Sequence, residues 1–331
     1  MVDKVLVTGG GGFLGGAIAR RLMDQGAEIR SFSRGSHPRL ERAGIEQVRG
    51  DLADLRAVKS ACRGCELVFH VAAKAGLWGR DQDFYAANVN GTRNVLEACT
   101  DLGIRYLVYT SSPSVIFDGR DQEGIDESIP YPDHYKASYP KTKAEAEKAV
   151  LRADCDRLKT VSLRPHLIWG PGDNLLTPGI LAKGRSGRLR RIGSGNKLVD
   201  FTYIDNAAEA HIRAAEALLS GRAIGGKAYF ISQSEPWPLW DFVNRLMEIA
   251  DYPRVKRRIP TGLAYRTGAV CEWMYRILPL KGEPPVTRFM VEELTTAHWY
   301  DNSAARRDLG YKPIVSMEEG MIRLQQWIRK E

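Results

Sequence analysis

The stretch "VLVTGGGGFLGGAIARRL", residues 5–22, places a glycine-rich turn between a β-branched apolar run and a helical stretch that begins at Phe13. Glycines at 10, 12 and 15 have the G-x-G-x-x-G spacing of a dinucleotide-binding turn, and glycines at 9, 12 and 15 fit a variant of it. A helix that starts after such a turn offers free N–H groups and a positive dipole end to phosphates. The stretch therefore predicts a pyrophosphate site at Gly9, Gly12, Phe13, Leu14 and Gly15.

The segments that follow alternate between strand and helix patterns. Strands are predicted at 4–8, 28–33, 46–50, 66–72, 106–112 and 160–165, with helices at 13–25, 82–102 and from 139 onward. This alternation predicts an α/β fold with a doubly wound parallel sheet of the Rossmann type. We expect a dinucleotide-binding domain over 1–170. Residues 171–331 are expected to form mainly a smaller C-terminal substrate lobe, with some segments, such as a strand at 227–232, returning to the Rossmann core.

Composition and charge exclude several classes of protein. The chain has 331 residues, of which 44% are hydrophobic and 27% charged, as in ordinary globular proteins. The formal charge of +8 comes from scattered Lys and Arg without interleaved aromatic residues, so we expect an anionic cofactor and substrate and no nucleic acid. No apolar run approaches the roughly 20 residues that span a bilayer, and a cytoplasmic location is expected. The five cysteines lack ligand spacing, so no metal site is predicted.

The end of the second strand bears on the choice of cofactor. NAD-binding chains carry Asp or Glu there, whereas this strand ends in Phe32-Ser33-Arg34. A hydroxyl and a guanidinium suit a ribose 2′-phosphate, so NADP(H) is predicted in preference to NAD(H). Asp51 and Leu52, after the third strand, are candidate adenine contacts, and a helix N-cap is an equally open role for Asp51.

Tyr139 and Lys143 lie four residues apart at the head of the helical run "SYPKTKAEAEKAV" (138–150). This spacing puts a phenol and an ammonium on one helix face. A cation near the phenol favours phenolate, and we expect it to lower the pKa of Tyr139 toward neutrality, although burial opposes this. The pair is therefore a candidate acid–base device.

A serine-rich strand end supports that interpretation. "TSSPSV" (110–115) follows the fifth strand at the carboxyl edge of the sheet, where Ser112 is a candidate hydrogen-bond donor to a substrate oxygen. Ser111 and Ser114 remain alternatives. His70 and His166 are expected to have structural or cofactor-packing roles.

Together these motifs resemble the extended short-chain dehydrogenases/reductases. The motifs are "TGGGGFLG" (8–15), "GDL" (50–52), "HVAA" (70–73), "NVNGTRNVLEA" (88–98), "TSSPSV", "YPKTK" (139–143) and "LRPHLIWGPGD" (163–173). "DFTYIDNAAEAHI" (200–212) is similar to the 3β-hydroxysteroid dehydrogenase branch. "HVAAKAGLWG" and "YTSSPSVIFDG" look most like a bacterial subgroup, the 2-alkyl-3-oxoalkanoate reductases of olefin biosynthesis.

The resemblance implies roles for individual residues. Tyr139 would be the general acid, Lys143 would lower its pKa and bind the nicotinamide ribose, and Ser112 would orient the carbonyl. Asn88 would support this site. Contacts with the cofactor are implied for Ala72, Ala73, Lys74, Pro165 and His166.

The implied reaction is NADPH-dependent reduction of a long-chain, lipid-like 2-alkyl-3-oxoalkanoate to the 3-hydroxy acid. A 3β-hydroxysteroid or 4-carboxysterol dehydrogenase, a nucleotide-sugar epimerase or dehydratase, and a non-catalytic NADP-sensing protein remain alternatives. The resemblance implies a homodimer and leaves open a complex with other enzymes of the pathway. The segment 262–280 is favoured as pocket wall or core, ahead of a peripheral membrane contact or a partner interface.

Overall fold

Seven parallel strands form the central sheet, which establishes the predicted Rossmann-type α/β fold. The structure is a computed structural model that describes residues 3–278, 280 and 282–330. The strands are β1 (Lys4–Thr8), β2 (Glu28–Ser33), β3 (Glu46–Arg49), β4 (Leu67–His70), β5 (Tyr106–Thr110), β6 (Gln122–Ile125), β7 (Lys159–Pro165), β8 (Ile168–Trp169), β9 (Arg191–Ile192), β10 (Leu198–Val199), β11 (Thr202–Tyr203), β12 (Lys227–Ile231), β13 (Trp237–Pro238), β14 (Arg258–Ile259) and β15 (His298–Tyr300). The order across the sheet is β12-β7-β5-β4-β1-β2-β3.

Helices cover both faces of the sheet. They are α1 (Phe13–Asp24), α2 (Pro38–Arg42), α3 (Leu55–Cys62), α4 (Asp81–Phe84), α5 (Gly91–Leu102), α6 (Ser138–Arg152), α7 (Leu176–Arg185), α8 (Ile204–Leu219), α9 (Leu239–Ile249), α10 (Thr261–Ile277), α11 (Arg288–Thr295) and α12 (Met317–Ile328). A π-helical segment, Tyr85–Asn90, joins α4 to α5. The predicted helix 82–102 is therefore one run with a wide turn inside it.

Alternation along β1 explains the two layers. Val5 and Val7 face a core that includes α1 and α8 residues, whereas Leu6 faces a second core with residues of α3, α5 and α6. All three side chains are fully buried, as expected for a parallel strand covered on both sides.

Two strands, β4 and β5, end two residues earlier than the sequence predicts. β4 stops at His70 because the N–H groups of Val71 and Ala72 donate to Thr8 Oγ1 at 3.1 Å instead of continuing the strand ladder. β5 stops at Thr110, and Ser112 accepts a hydrogen bond from the N–H of Ser114 in the turn that follows. The segments that follow His70 and Thr110 therefore form loops at the carboxyl edge of the sheet.

Elements after residue 170 divide between the main sheet and a second layer. β12 pairs with β7, and α8 packs beside α1, so both complete the Rossmann framework. A four-stranded sheet in the order β13-β10-β15-β6 lies beyond the main one. Tyr300 of β15 stacks on Phe230 of β12 with ring centroids 4.3 Å apart. This contact joins the second sheet to the main sheet. Among the described residues, no helix combines the length and apolarity needed to cross a bilayer.

Candidate active site

The glycine turn after β1 brings backbone segments too close for side chains. Gly9 has a φ of +71°, and a Cβ there would lie 3.1 Å from Cα of Ala72. A Cβ on Gly15 would lie 2.2 Å from the carbonyl oxygen of Gly9. The turn and the first turn of α1 therefore pack backbone on backbone, as a pyrophosphate-binding loop requires.

The start of α1 fits a dinucleotide. Its N-cap, Gly12, supplies no side-chain cap, and the first turn holds no acidic residue. The N–H groups of Phe13 and Leu14 belong to the first turn, where no intrahelical acceptor exists. Free donors and a positive helix end make this a suitable cradle for an anionic pyrophosphate.

The residues predicted to select the cofactor lie next to this turn. Ser33 ends β2 and donates a hydrogen bond to the carbonyl of Gly35 at 2.9 Å, while Arg34 is exposed. His37, which the sequence patterns did not indicate, lays its ring against Gly11, where a Cβ would meet a ring carbon at 2.0 Å. Ser33, Arg34 and His37 thus lie together on the segment that begins at the end of β2, beside the glycine turn.

Asp51 does not cap a helix. Its Oδ1 accepts the N–H of Ala53 at 2.9 Å, and the N-cap of α3 is Asp54, which accepts from Arg56 and Ala57. Leu52 is buried under Gly91, and its carbonyl accepts a hydrogen bond from Asn94 at 2.7 Å. The backbone at 51–52 is therefore fixed, which leaves the Asp51 carboxylate exposed beside the groove.

His70 links the end of β1 to the first turn of α5. Its Nε2–H donates to Thr92 Oγ1 at 3.0 Å, since that hydroxyl donates its own proton to the carbonyl of Asn88. Its Nδ1 then accepts from Thr8 Oγ1 at 2.9 Å. Burial, followed by the charge of Lys143, lowers the pKa of His70 to about 3, so the ring stays neutral. His70 thus has a structural position.

Asn88 holds the loop after β4. Its Oδ1 accepts from the N–H of Lys74 at 2.7 Å, and its Nδ2 donates to the carbonyl of Lys74 and to Thr142 Oγ1, at 3.1 and 3.0 Å. Thr142 lies on α6, between Tyr139 and Lys143. The π turn therefore positions an amide that connects the 72–74 loop to α6. Ala72 and Lys74 are half-buried there, and Ala73 is exposed.

Tyr139 is the second residue of α6 and is half-buried. Burial raises its pKa, proximity to the Ser112 hydroxyl partly offsets this, and the charge of Glu293 raises it further. Ser112 Oγ accepts from Ser114 Oγ at 3.0 Å, which leaves its own proton free to be donated. The phenol and a serine hydroxyl thus meet at the end of β5.

Lys143 lies one turn along α6, and its side chain is almost fully buried. Its Nζ donates to the carbonyl of Thr110 at 2.5 Å and lies 4.2 Å from the ring centroid of Tyr109. Burial lowers the pKa of Lys143 to about 7, against an opposing effect of Glu147. The direction of the Tyr139 shift differs from our expectation because burial penalises the charged form of both groups.

Buried polar residues around Lys143 and Thr110 stabilise the positions of these two residues. Glu147, one turn after Lys143, pairs with Arg164 of β7 at 2.9 Å, with exposed side-chain fractions of 0% and 3%. Although burial raises the pKa of Glu147, Arg164 and then Ser162 and Tyr131 outweigh it and keep the carboxylate charged. His211 of α8 accepts from Thr110 Oγ1 at 2.8 Å while donating to the carbonyl of Ala207. The sequence analysis did not single out Glu147, although its i, i+4 spacing from Lys143 could have indicated it.

His166 follows Pro165 at the end of β7 and is buried. Its Nε2–H donates to His298 Nδ1 at 2.7 Å, because His298 Nε2 donates to the carbonyl of Glu293 at 2.8 Å. Burial and then His298 lower the pKa of His166, so the ring is neutral. This two-imidazole chain ties β7 to α11.

The hydrogen bonds from His166 to His298 and from His298 to α11 bring one acidic residue, Glu293, to the site. Burial raises its pKa, and His298 partly opposes the rise. Its carboxylate is close enough to both Tyr139 and Tyr300 to raise their pKa values. No local pattern in the sequence indicated Glu293 or His298.

The described residues contain no cluster of three or more His, Cys, Asp or Glu side chains that would hold a metal ion. All five cysteines are free thiols. A phenol, a serine hydroxyl and an amine lie at the carboxyl edge, beside the dinucleotide cradle.

Comparison with known proteins gives a consistent result. Residues 6–261 match the model of the 3-beta hydroxysteroid dehydrogenase/isomerase family. A protein of Stenotrophomonas maltophilia strain K279a named 2-alkyl-3-oxoalkanoate reductase is 51% identical over 97% of this chain and 98% of its own length. A protein of the same name from Shewanella oneidensis is 47% identical over 98% of this chain and 86% of its own.

A solved structure shares the fold. MoeE5 in complex with UDP-glucose and NAD has a TM-score of 0.77, with 99% of both chains covered and 22% identity. The family match spans most of this chain. The proteins from Stenotrophomonas maltophilia and Shewanella oneidensis match this chain over nearly its full length. The chain belongs to the 3-beta hydroxysteroid dehydrogenase/isomerase family, within the extended short-chain dehydrogenases/reductases, and is an NAD(P)-dependent oxidoreductase.

Proposed function

We propose that this chain reduces a long-chain 2-alkyl-3-oxoalkanoate to the 2-alkyl-3-hydroxyalkanoate, with NADPH in preference to NADH. The observation that carries the proposal is the 51% identity, over 97% of the chain, with a protein named 2-alkyl-3-oxoalkanoate reductase. The second relative of that name supports it over 98% of the chain. An olefin-producing pathway would use the product.

Each site residue takes a role in this reaction. A bound nicotinamide cofactor supplies the hydride. Ser112 donates a hydrogen bond to the C3 carbonyl oxygen and keeps its proton, and Tyr139 transfers its phenolic proton to that oxygen as negative charge develops there. Lys143, held at the carbonyl of Thr110 one helical turn after Tyr139, supplies the cation that stabilises the negative charge left on the phenol. The raised pKa of Tyr139 keeps the proton on the acid until the reaction needs it.

The residues at the end of β2, at the outer end of the groove, favour NADPH. Arg34 is exposed there beside Ser33, and no carboxylate ends β2 to accept the hydroxyls of an NAD ribose. Arg34→Ala should weaken NADPH binding about 10- to 100-fold, the effect of losing a hydrogen bond to a charged group, and leave NADH binding nearly unchanged. Arg39→Ala, an exposed arginine on α2, is the matched control. Tighter NADH than NADPH binding by the wild type would overturn the preference.

The reaction itself is tested in the oxidative direction. Because 3-oxo acids lose carbon dioxide spontaneously, the assay supplies a synthetic 2-alkyl-3-hydroxy acid and NADP⁺ and follows NADPH formation. 3β-Hydroxysteroids, 4-carboxysterols and UDP-glucose form the comparison panel. Turnover of a sterol but not of the hydroxy acid would replace the proposed substrate with the sterol alternative.

Tyr139→Phe tests the assigned acid. The variant should lose about 10²–10⁴-fold in kcat, the usual share of a general acid or base, while NADPH affinity measured by fluorescence stays within a fewfold. Tyr85→Phe, an exposed tyrosine of the π-helical segment, should keep full activity. Unchanged turnover in Tyr139→Phe would remove the catalytic role.

We also propose a homodimer, as the resemblance implies. Sedimentation velocity of the wild-type protein at micromolar concentration tests it, with a monomeric boundary as the contradicting result.

A further inference from the structure

One face of α10 carries large apolar side chains directly into solvent. Leu263, Val270, Trp273 and Ile277 are 58%, 56%, 63% and 59% exposed. Their spacing of seven, three and four residues places them on one side of the helix, with Met274 between them. We call this set, with Leu278 and Leu280 beyond the helix end, the outer face.

Packing of the helix does not require the outer face. The opposite side buries Ala264, Gly268 and Glu272. Glu272 pairs with Arg288 of α11 at 2.7 Å, and Ala264 joins a small apolar cluster with Ile192 and Val291. These inner contacts account for the position of α10 and leave the outer apolar groups without a structural function.

The exposed apolar groups are concentrated here. Of the twelve large hydrophobic side chains exposed within the described part of the chain, seven belong to residues 263–280. Scattered exposed hydrophobic residues need no explanation, whereas a contiguous patch indicates contact with another apolar phase. The outer face is therefore a candidate contact surface.

A ridge of cations adjoins the N-terminal end of α10. Parallel pairing of β14 with β9, in the register Arg258 to Arg191, brings two basic segments together immediately before the helix begins. Its exposed members are Lys183, Arg185, Arg188, Lys256, Arg257 and Arg258. We call these residues the basic ridge. Arg266 adds an exposed cation on the helix, next to the apolar stripe.

We propose that the outer face and the basic ridge dock the protein on the surface of an anionic lipid bilayer. Apolar groups on one side of a helix, flanked by Lys and Arg, are the combination that places a helix in the plane of the headgroups. Cations near such a surface are attracted by its negative potential. An anionic membrane accounts for both features, because its headgroups attract the cations of the basic ridge and its acyl region accepts the apolar side chains of the outer face.

Contacts of α10 with Trp78 connect this helix to a loop beside the active site. Tyr275 of α10 packs edge-on against Trp78, with centroids 6.3 Å apart, and Arg276 lies over the same indole. Trp78 belongs to the loop that continues from Lys74, which Asn88 holds beside the cofactor groove. Docking through α10 therefore places the loop that borders the site on the other side of this helix from the membrane, about one helix diameter away. The docking itself does not depend on the proposed reductase activity.

Vesicle co-sedimentation tests the proposal with the full-length protein. Vesicles of phosphatidylglycerol and phosphatidylethanolamine should bind the wild type, and vesicles of phosphatidylcholine alone should bind it at least about tenfold more weakly. Raising NaCl from about 0.1 to 0.5 M should weaken binding to the anionic vesicles. Lys256→Glu/Arg257→Glu should reduce the partition coefficient by about fivefold or more for each cation removed.

The apolar contribution is tested separately. Val270→Ser/Ile277→Ser should lower partitioning about tenfold or more, with NADPH affinity and the circular dichroism spectrum unchanged. Ile314→Ser/Ile322→Ser removes two exposed apolar side chains outside the patch and should bind vesicles like the wild type. Equal binding of all variants, or no binding of the wild type to anionic vesicles, would overturn the proposal. A wild-type oligomer that Val270→Ser/Ile277→Ser dissociates would also overturn it, because the face would then join copies of this chain.

Discussion

At the scale of single residues, Lys143 shows that the site opposes the stability of the fold. The side chain is 2% exposed, and its Nζ has a backbone carbonyl as its hydrogen-bond acceptor. Burial lowers its pKa from 10.5 to about 7. The folded protein therefore holds the proton of Lys143 less tightly than the unfolded chain does, which costs stability wherever the unfolded lysine is charged.

This difference predicts a pH-dependent gain from removing the amine. Below pH 7 both states carry the proton and the cost is fully present, at most about 5 kcal/mol; it declines as pH rises from 7 to about 10. Lys143→Met should therefore unfold at a higher temperature than the wild type at pH 6, with a difference that shrinks toward pH 10. Lys141→Met, at an exposed position of the same helix, is the control. A difference that is constant with pH would contradict this account.

Glu293 acts on the same site through its charge. Its carboxylate raises the pKa of Tyr139, after the larger effect of burial. In Glu293→Gln the phenol should lose its proton at lower pH, so the alkaline limb of the kcat/KM profile for ketone reduction should move to lower pH. Glu292→Gln, which removes a neighbouring carboxylate paired with Lys136, should leave that limb in place. A shift to higher pH in Glu293→Gln would refute the electrostatic role.

At the scale of elements, local patterns predicted what local geometry determines. The glycine turn, the first strands, and the helix that carries Tyr139 and Lys143 were predictable from spacing, because glycine positions, apolar runs and i, i+4 pairs are local patterns even where the contacts they make are distant. His298 was not predictable in this way, since it meets His166 132 positions earlier in the chain. That contact depends on the pairing of β15 with β10, two short strands with little periodicity. The π turn that aims Asn88 likewise has no local sequence pattern that we identified.

The two helices α1 and α7 offer opposite outcomes for one substitution. In Gly15→Ala the new Cβ would meet the rigid carbonyl of Gly9 at 2.2 Å, so both folding and NADPH binding should suffer. Gly179 lies in α7, where an added Cβ would meet no atom within 4 Å, so Gly179→Ala should stabilise by about 0.5–1 kcal/mol through helix propensity. Urea unfolding with and without NADPH measures both. Retained cofactor affinity in Gly15→Ala would show that the turn tolerates more than its geometry indicates.

At the scale of the whole molecule, the late segments are part of the early sheet. Arg21 of α1 pairs with Glu209 of α8 at 2.7 Å, and β12 forms the edge of the main sheet beside β7. Asn206 of α8 also donates to the carbonyl of Val315, which precedes α12. Contacts of this kind leave no weak boundary at which the C-terminal half would separate, so both halves should unfold in one transition.

Tryptophan fluorescence makes this prediction measurable, because six of the seven tryptophans lie after residue 168, whereas circular dichroism follows the entire chain. The two melting curves should coincide. NADPH at 100 times its Kd adds about 2.7 kcal/mol to the folded state, which for a chain of this size raises both midpoints by about 4 °C. A fluorescence midpoint that stays fixed while the dichroism midpoint moves would mean that the C-terminal half unfolds independently of the cofactor groove. In that case contacts such as Arg21–Glu209 would not couple the two halves.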